Sequence, residues 1–279
     1  MKFSLILPTL GRKEELIRFF NSLKKQTYKN FEVIVVDQNH DKRVYNLLSD
    51  YSKCMNINYN HVLVHGLSKA RNIGLKEVTG DIVAFADDDC WYFPNTLQVA
   101  KNLFEKYKKL EGITGTPLDD SFRPLLPSLP ADGSLLDQVS VWKAGISITI
   151  FLRAQVVNEI GLFDEGLGVG ADTPYGSGEE TDYLLRILEK GGSIKYFSDV
   201  KVGHPNKSQG GDRDSIKRCY SYGCGLGYVL KKHDAPINQR IKVLIRPAGG
   251  ALLALFRGNI HLAGERIGTF LGRIYGLLS

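Results

Sequence analysis

The sequence predicts an α/β fold built on a mostly parallel sheet, and two observations carry this prediction. Short apolar strands alternate with helical patterns through the first half of the chain, in the order SLILPT, KEELIRFFNSLKKQ, FEVIVVD and VYNLLSDYSK. Strands that alternate with helices pair in parallel through right-handed crossovers. The second observation is an acidic triplet, Asp87 to Asp89, which follows the apolar strand DIVAFA. Open α/β sheets bind their ligands at the carboxyl ends of such strands.

The remaining elements follow from the same patterns. INYNHVLVH reads as a strand, and GLSKARNIGLKEV and PNTLQVAKNLFEKYKK read as helices. Prolines at 117, 124, 127 and 130 predict a surface segment from Thr116 to about Gly133. Beyond it we expect a sheet-like stretch SVWKAGISITIFLR, a helix AQVVNEIG, a glycine-rich loop, a helix EETDYLLRILEKGG and a final strand and loop, IKYFSDVKVGH.

Composition is that of a globular enzyme. The chain has 279 residues, 43% of them hydrophobic and 24% charged, enough for one large core or a core with a lobe. Its four cysteines form no CxxC pair, which indicates reduced thiols in a cytosolic compartment. The start MKFSLILPTLGR is interrupted by Pro8 and has no small-residue cleavage site, so we interpret it as a first strand rather than a signal peptide.

The positive charge is confined to the last part of the chain. The net charge is +6, and the residues from Lys231 onward hold eight basic and two acidic side chains, so the preceding part is balanced. This distribution excludes a nucleic-acid groove spread over the fold and predicts a local basic surface instead.

The acidic triplet predicts a cation site. Three consecutive carboxylates repel one another, and a divalent cation such as Mg²⁺ or Mn²⁺ would neutralise them while it carries phosphate oxygens. Other candidate residues end or follow neighbouring strands. These are Pro8, Thr9, Asp37, Lys69, Arg71 and Asn72. This edge would hold a base, a ribose, a diphosphate and a metal in sequence. The alternative is a solvated acidic loop that caps the helix beginning near Pro94.

Five segments in order resemble the family 2 inverting glycosyltransferases, which have the GT-A fold, a Rossmann-like sheet flanked by helices. The resemblance runs from Phe3 to about Leu230. The matching segments are SLILPTLGR (the base-binding loop), FEVIVVDQ (whose Asp37 would bond the nucleobase), GLSKARNIGL, FADDDCW (the Asp-x-Asp metal motif) and GSGEETDYLLR (the acidic motif of the catalytic base).

The resemblance implies a role for each matching residue. The implied donor-binding residues are Pro8, Thr9, Arg12, Asp37, Lys69, Arg71, Asp87 and Asp88. Asp87 and Asp89 would form the metal motif, in which Asp89 ligates Mn²⁺ or Mg²⁺, while Asp87 and Asp88 also serve ribose or supporting roles. His204 would complete the metal site or contact the diphosphate, although a lone histidine is more often a surface or core residue.

Glu180 is the candidate catalytic base, with Asp182 as the second candidate. The alternative is that these acids, with Glu179, only complement the helix dipole. Three departures from the family pattern accompany the match: Gln38-Asn39-His40 replaces Asp-Gly-Ser, Glu179-Glu180 replaces Glu-Asp, and the Gln-x-x-Arg-Trp motif of processive members is missing, so one sugar per encounter is expected.

The tail from about residue 240 is apolar with spaced basic residues. Its longest uncharged run, residues 247–256, is far below the ~20 residues that a membrane-spanning helix needs. On a helical wheel Lys242, Arg246 and Arg257 share one side, with Arg266 and Arg273 farther on. This pattern predicts helices lying in the headgroup layer of an anionic membrane. The alternative, which seven glycines would suit, is packing on the catalytic core or a homodimer seam.

The predicted function is a metal-dependent inverting transfer of one sugar from a UDP or dTDP sugar to a hydroxyl of a lipid-linked or cell-surface glycan. It would act at the cytoplasmic face of the membrane, to which the chain binds peripherally. Residues 1–115 would bind the donor, 116–235 would bind the acceptor and carry the base, and 236–279 would form the tail. One alternative, a sugar nucleotidyltransferase, would need a glycine-rich phosphate loop, and LPTLGRKEEL is poor in glycine. A sugar-binding scaffold without turnover is the other.

Overall fold

The computed structural model describes residues 1–206 and 213–279. They form two compact units. The first contains Met1–His65, Lys69–Leu162 and Leu184–Asn206, and the second contains Gly66–Ser68, Phe163–Tyr183 and the described residues after 206. These units group residues by contact, whereas the division into donor, acceptor and tail parts is functional and stays a prediction.

The first unit contains an eight-stranded sheet. Its strands are β1 (Phe3–Thr9), β2 (Phe31–Asp37), β3 (Asn56–His61), β4 (Ile82–Phe85), β5 (Trp91–Tyr92), β6 (Gly112–Leu118), β7 (Phe151–Arg153) and β8 (Ile194–Gly203), in the order β3-β2-β1-β4-β7-β6-β8-β5. Strands β3, β2, β1 and β4 are mutually parallel, as are β6 and β8. The short strands β7 and β5 pair antiparallel with their neighbours. The predicted mostly parallel α/β fold is therefore confirmed.

The described residues also form helices in both units. They are α1 (Glu14–Lys24), α2 (Arg43–Tyr51), α3 (Leu67–Leu75), α4 (Thr96–Lys106), α5 (Val141–Ala144), α6 (Ala154–Ile160), α7 (Glu179–Glu189), α8 (Arg213–Lys232), α9 (Ile237–Phe256) and α10 (Ile260–Leu278). Helix α1 shows why they form: Leu16, Phe19, Phe20 and Leu23 repeat at helical spacing and are all buried. Glutamates in its first turn and Lys24 in its last complement the helix dipole.

The sheet-like prediction for SVWKAGISITIFLR is wrong for most of that segment. It contains the short helix α5, a 3₁₀ turn at Ser147–Thr149 and only the three residues of β7 as strand. Gly145 ends α5, with its N–H donating to the carbonyl of Val141. A Cβ at Gly145 would meet Leu184 at 2.9 Å, so tertiary packing rather than strand propensity sets this segment.

Strand β6 has no matching prediction, because glycine and proline in GITGTPL argue against a strand. Its glycines are needed for close approach of neighbouring strands. A Cβ on Gly115 would overlap the carbonyl oxygen of Val200 in β8, and the pairing of β6 with β8 changes register between Thr114 and Thr116. The proline-rich surface segment predicted from Thr116 thus begins inside a buried strand, since residues 116–118 belong to β6.

A glycine seam joins α8 and α10 in the second unit. Cβ atoms on Gly272 and Gly276 would overlap the carbonyl oxygens of Tyr220 and Cys224. From the other side, Gly223 and Gly227 face the backbone of α10 equally closely. These glycines let the two helix backbones touch, so the packing predicted as the alternative for the tail is present. No helix within the described residues has the length and apolarity to cross a membrane.

Substituting alanine for Gly272 is expected to destabilise the protein by about 3 kcal/mol or more, because the new Cβ meets backbone that cannot rotate away. Gly249 provides the matched control. It lies in α9, and a Cβ added there would meet nothing within 4 Å, so alanine should be neutral or stabilising by up to about 1 kcal/mol. Thermal denaturation of the two variants gives the comparison, and equal melting temperatures would contradict the seam.

Candidate functional site

The first unit brings the predicted donor-site residues to one edge of the sheet. Pro8 and Thr9 end β1 in register with Val36 and Asp37 of β2. Asp87 to Asp89 follow β4, which pairs with β1 on its other side. Because parallel strands end at the same edge, these side chains share the carboxyl edge that the sequence predicts.

Arg12 and Thr9 hold the acidic triplet. The Arg12 guanidinium lies 2.9 Å from Asp88 Oδ1 through Nε and 2.9 Å from Asp89 Oδ2 through Nη1. The Thr9 hydroxyl donates to Asp88 Oδ2 at 3.0 Å. Burial raises the pKa of Asp88 to about 6; Arg12 and Thr9 oppose the rise, and the neighbouring carboxylates add to it. A cation beside Asp88 would favour the ionised form of its carboxyl group.

Arg71 contacts Asp87, the first residue of the acidic triplet. It is fully buried on α3, and its Nη2 lies 3.2 Å from Asp87 Oδ1. The hydroxyl of Ser147 donates to the other oxygen of Asp87 at 3.4 Å. Lys69 lies two residues earlier on the same helix and is partly buried. A buried guanidinium beside a carboxylate is pre-organised for a further anion, since its fork carries five donors.

Asp87, Asp89 and His204 form a cluster able to hold a metal ion. Their ligand atoms all lie within 4.8 Å of one another. His204 Nδ1 lies 2.9 Å from the carbonyl oxygen of Pro205, and Nε2 lies 3.1 Å from Asp89 Oδ1. A carbonyl oxygen beside Nδ1 favours the tautomer protonated there, in which Nε2 carries the lone pair that a metal ion needs. Two carboxylates and one imidazole suit a divalent cation such as Mn²⁺.

Asp37 is fully buried and engaged with the chain itself. Its Oδ1 accepts from the backbone N–H of Asn39 at 2.9 Å and from the Asn39 side chain at 2.7 Å. Its Oδ2 accepts from the Tyr59 hydroxyl at 2.8 Å. Burial raises the pKa of Tyr59, and the hydrogen bond to Asp37 raises it further. Asn39 also accepts from the Gly11 N–H at 2.7 Å, which ties this network to the loop after β1.

Gln38 differs from its neighbour. It is 4% exposed, and its amide oxygen has no hydrogen-bond partner among the described residues. Its backbone N–H donates to the carbonyl of Thr9. A buried amide oxygen without a partner costs about 1–3 kcal/mol, so a donor that reaches it would be favoured. Neither this feature nor the Asn39–Tyr59 network could be identified from sequence patterns, apart from the departure from Asp-Gly-Ser.

The acidic turn of α7 belongs to the second unit. Glu180 is partly exposed, whereas Glu179 and Asp182 are buried. Asp182 Oδ1 lies 2.8 Å from Lys232 Nζ and 2.9 Å from His233 Nε2. These two residues, at the end of α8, are functional-site neighbours that sequence patterns did not identify, because nothing local connects KKHD with the acidic motif.

Comparisons with known proteins find similarity to glycosyltransferases. Residues 4–117 match the glycosyl transferase family 2 model. Poly(ribitol-phosphate) beta-N-acetylglucosaminyltransferase TarS of Staphylococcus aureus is 29% identical over 140 residues, 46% of this chain and 24% of TarS. The first curated relatives are longer, and the chain spans 34% of their length or less.

Two solved structures share the fold. The complex of S. aureus TarS 1–349 with UDP-GlcNAc aligns with a TM-score of 0.64 at 17% identity, over 95% of this chain and 90% of that one. The mannosyltransferase PcManGT from Pyrobaculum calidifontis, in complex with GDP-Man and Mn²⁺, aligns with a TM-score of 0.65 at 15% identity, over 99% and 87%.

The fold is that of these GT-A structures. Residues 4–117 are similar to the glycosyl transferase family 2 model.

Proposed function

We propose that this chain transfers a single sugar, with inversion, from a UDP or dTDP sugar to a hydroxyl of a lipid-linked or cell-surface glycan. The observation that carries the proposal is the Asp87–Asp89–His204 cluster next to Arg12 and Arg71, at the sheet edge where such donors bind. TarS, by its name, uses a polymeric acceptor, which supports a glycan acceptor here.

A divalent cation would be held by Asp87, Asp89 and His204. When bound, it stabilises the charge that develops on a diphosphate leaving group. Arg12 and Arg71 provide fixed positive charge beside the same carboxylates, which favours a phosphate group at this edge. The residues present therefore fit the metal, and they also fit the anion that leaves with it.

Glu180 is proposed as the base that takes the proton of the acceptor hydroxyl. It is the partly exposed acid of its turn, whereas the carboxylate of Asp182 is buried and bonded to Lys232 and His233. A base must reach the proton that it abstracts, and burial keeps Asp182 from doing so.

Nucleobase selection is assigned to the end of β2. The unpartnered amide oxygen of Gln38 can accept the imide N–H of uracil or thymine, while Asp37 fixes Asn39 and the loop that carries Gly11. This division of roles favours uridine and thymidine diphosphates. It also refines the expectation that Asp37 itself bonds the base.

The proposal is tested by calorimetric titration of the protein with UDP, dTDP, CDP, GDP and ADP, each with and without Mn²⁺. UDP and dTDP should bind more tightly than the other three nucleotides. Their full affinity should require Mn²⁺. Gln38→Ala should weaken both by about tenfold, the equivalent of one hydrogen bond, and Asp37→Ala should weaken them alike. A preference for GDP or ADP would refute the uridine and thymidine assignment. Loss of sugar from a UDP sugar in the presence of acceptor then measures transfer.

We further propose that α9 and α10 bind the anionic cytoplasmic membrane surface peripherally. An exposed apolar stripe runs along α9, where Ile237 is 71% and Phe256 89% exposed, with Ile241, Ile245 and Leu252 between them. Lys242, Arg246 and Arg257 lie beside this stripe and are exposed. Apolar side chains flanked by basic ones complement an anionic lipid surface. Arg273 is not part of this face, because burial lowers its pKa to about 10 and its guanidinium donates to the carbonyl of Val243.

The full chain is expected to sediment with vesicles that contain phosphatidylserine, and added salt should weaken that binding. Replacing Lys242, Arg246 and Arg257 with Gln should reduce it by about 1 kcal/mol per charge at low salt. Replacing Lys108 and Lys109, exposed lysines of the first unit, serves as the control for net charge. Binding that survives the triple change, or an apolar face that proves to join two copies in solution, would overturn the membrane assignment.

A further inference from the structure

The buried carboxylate of Asp182 is held by Lys232, the last residue of α8, and by His233, which follows it. Asp182 has no exposed surface, and its Oδ1 is shared by Lys232 Nζ at 2.8 Å and His233 Nε2 at 2.9 Å. Lys232 Nζ also lies 2.7 Å from Asp164 Oδ2, so one ammonium bridges two carboxylates. Burial lowers the pKa of Lys232, but the bonds to Asp164 and Asp182 outweigh it and leave the pKa raised. The lysine is therefore charged at neutral pH.

The end of α8 fixes these two side chains. The helix closes with the N–H of Ala235 donating to Leu230 and that of Asp234 donating to Lys231. Asp234 adopts a left-handed conformation with φ 45°, the form in which helices commonly end. Lys232 and His233 thus come from the last helical turn and its terminus, rather than from a free loop.

The segment just before α7 is anchored to the same helix. A Cβ on Gly225 of α8 would overlap the carbonyl of Ser177, and one on Gly178 would meet Val229 at 2.9 Å. The Ser177 hydroxyl donates to the carbonyl of Tyr222 at 2.9 Å. Gly178 itself needs its φ of +95°, which other residues rarely adopt.

Glu180 therefore lies between two attachments to α8: residues 177–178 on one side and Asp182 on the other. From this geometry we propose that Lys232 and His233 are positioning residues, which hold the first turn of α7 through Asp182 and so fix the carboxylate of Glu180. The inference rests on the proposed role of Glu180 as base. It assigns to the end of α8 a part in the reaction without contact with substrate.

The first test is kinetic and uses Lys232→Met, which keeps the length of the stem and removes the charge. We expect kcat to fall by about tenfold or more, since small misplacements of a reacting group are costly, with the donor KM within about twofold of the original. Lys232→Arg should restore most of the rate. Lys231→Met is the matched control: among the described residues this neighbouring lysine donates to the carbonyl of Leu278, at 3.4 Å, and its loss should leave kcat unchanged.

The second test is hydrogen exchange, which needs no substrate. Lys232→Met should raise exchange in residues 178–184 and leave residues 31–39 of the donor site unchanged. Normal kcat, or unchanged exchange at 178–184, in a folded variant would overturn the positioning role. If Lys232→Met does not fold, His233→Asn is judged by the same two measurements. Loss of transfer in the unaltered protein with every donor would instead refute the proposed function, while the exchange result would still stand.

Discussion

Asp89→Asn is expected to lower the rate of transfer by about 10³-fold or more and to remove the Mn²⁺-dependent part of UDP binding. The side chain keeps its size but loses the charge that holds a cation, and a metal at a leaving group is worth several kcal/mol. Asp89 is 3% exposed and lies between Arg12 and His204, so no neighbouring carboxylate can move in to replace it at no cost.

Titration of the variant with UDP, with and without Mn²⁺, measures the metal-dependent part of UDP binding directly. Asp50→Asn is the control, because Asp50 lies on the surface of the same unit, and its ion pair with Lys53 within the described residues is long, at 3.7 Å. Nucleotide binding that keeps its full metal dependence in Asp89→Asn would show that the cation is held elsewhere or is not used.

Glu180→Gln is expected to slow transfer by about 10²-fold or more, the loss typical of a general base, while UDP binding and the melting temperature stay near those of the unaltered protein. Asp182→Asn should behave differently. Removing this buried charge leaves Asp164 as the carboxylate partner of Lys232 and weakens the contact with His233, and breaking a buried ion pair costs about 3–5 kcal/mol in other proteins. Its main signature is therefore a lowered melting temperature.

The dependence of rate on pH separates the two acids further. The limb of the profile that reports the base should disappear in Glu180→Gln and persist in Asp182→Asn. The opposite pattern would move the catalytic role to Asp182 and require its carboxylate to become exposed during turnover.

The parallel half of the sheet was predictable from sequence because its signal is local. β1, β2 and β4 are near-continuous apolar runs, as strands buried on both faces must be, and each polar strand end marks the same edge. β6 could not be recognised, because the reason for its glycines is a neighbouring strand far along the chain, where Val200 occupies the space of a Cβ at Gly115.

The candidate site was likewise predictable only in part from the sequence. Residue types and their order identify Asp37, Arg71 and the acidic triplet, but not their partners. Whether Asp37 is open or already bonded depends on Tyr59, 22 residues later, and the burial of Asp182 depends on His233, 51 residues later. Three acids in one helical turn look equivalent in sequence, and only long-range contacts distinguish the accessible one.

The glycine seam between α8 and α10 has a mechanical consequence. Backbone packed on backbone leaves no flexible side chains that could absorb a displacement, and close-packed interiors transmit strain. The two helices are therefore expected to move together as one rigid body. Lys232 is the last residue of α8 in this body. A displacement of α10 would therefore be transmitted through α8 to Lys232 and to the buried carboxylate of Asp182 that it contacts.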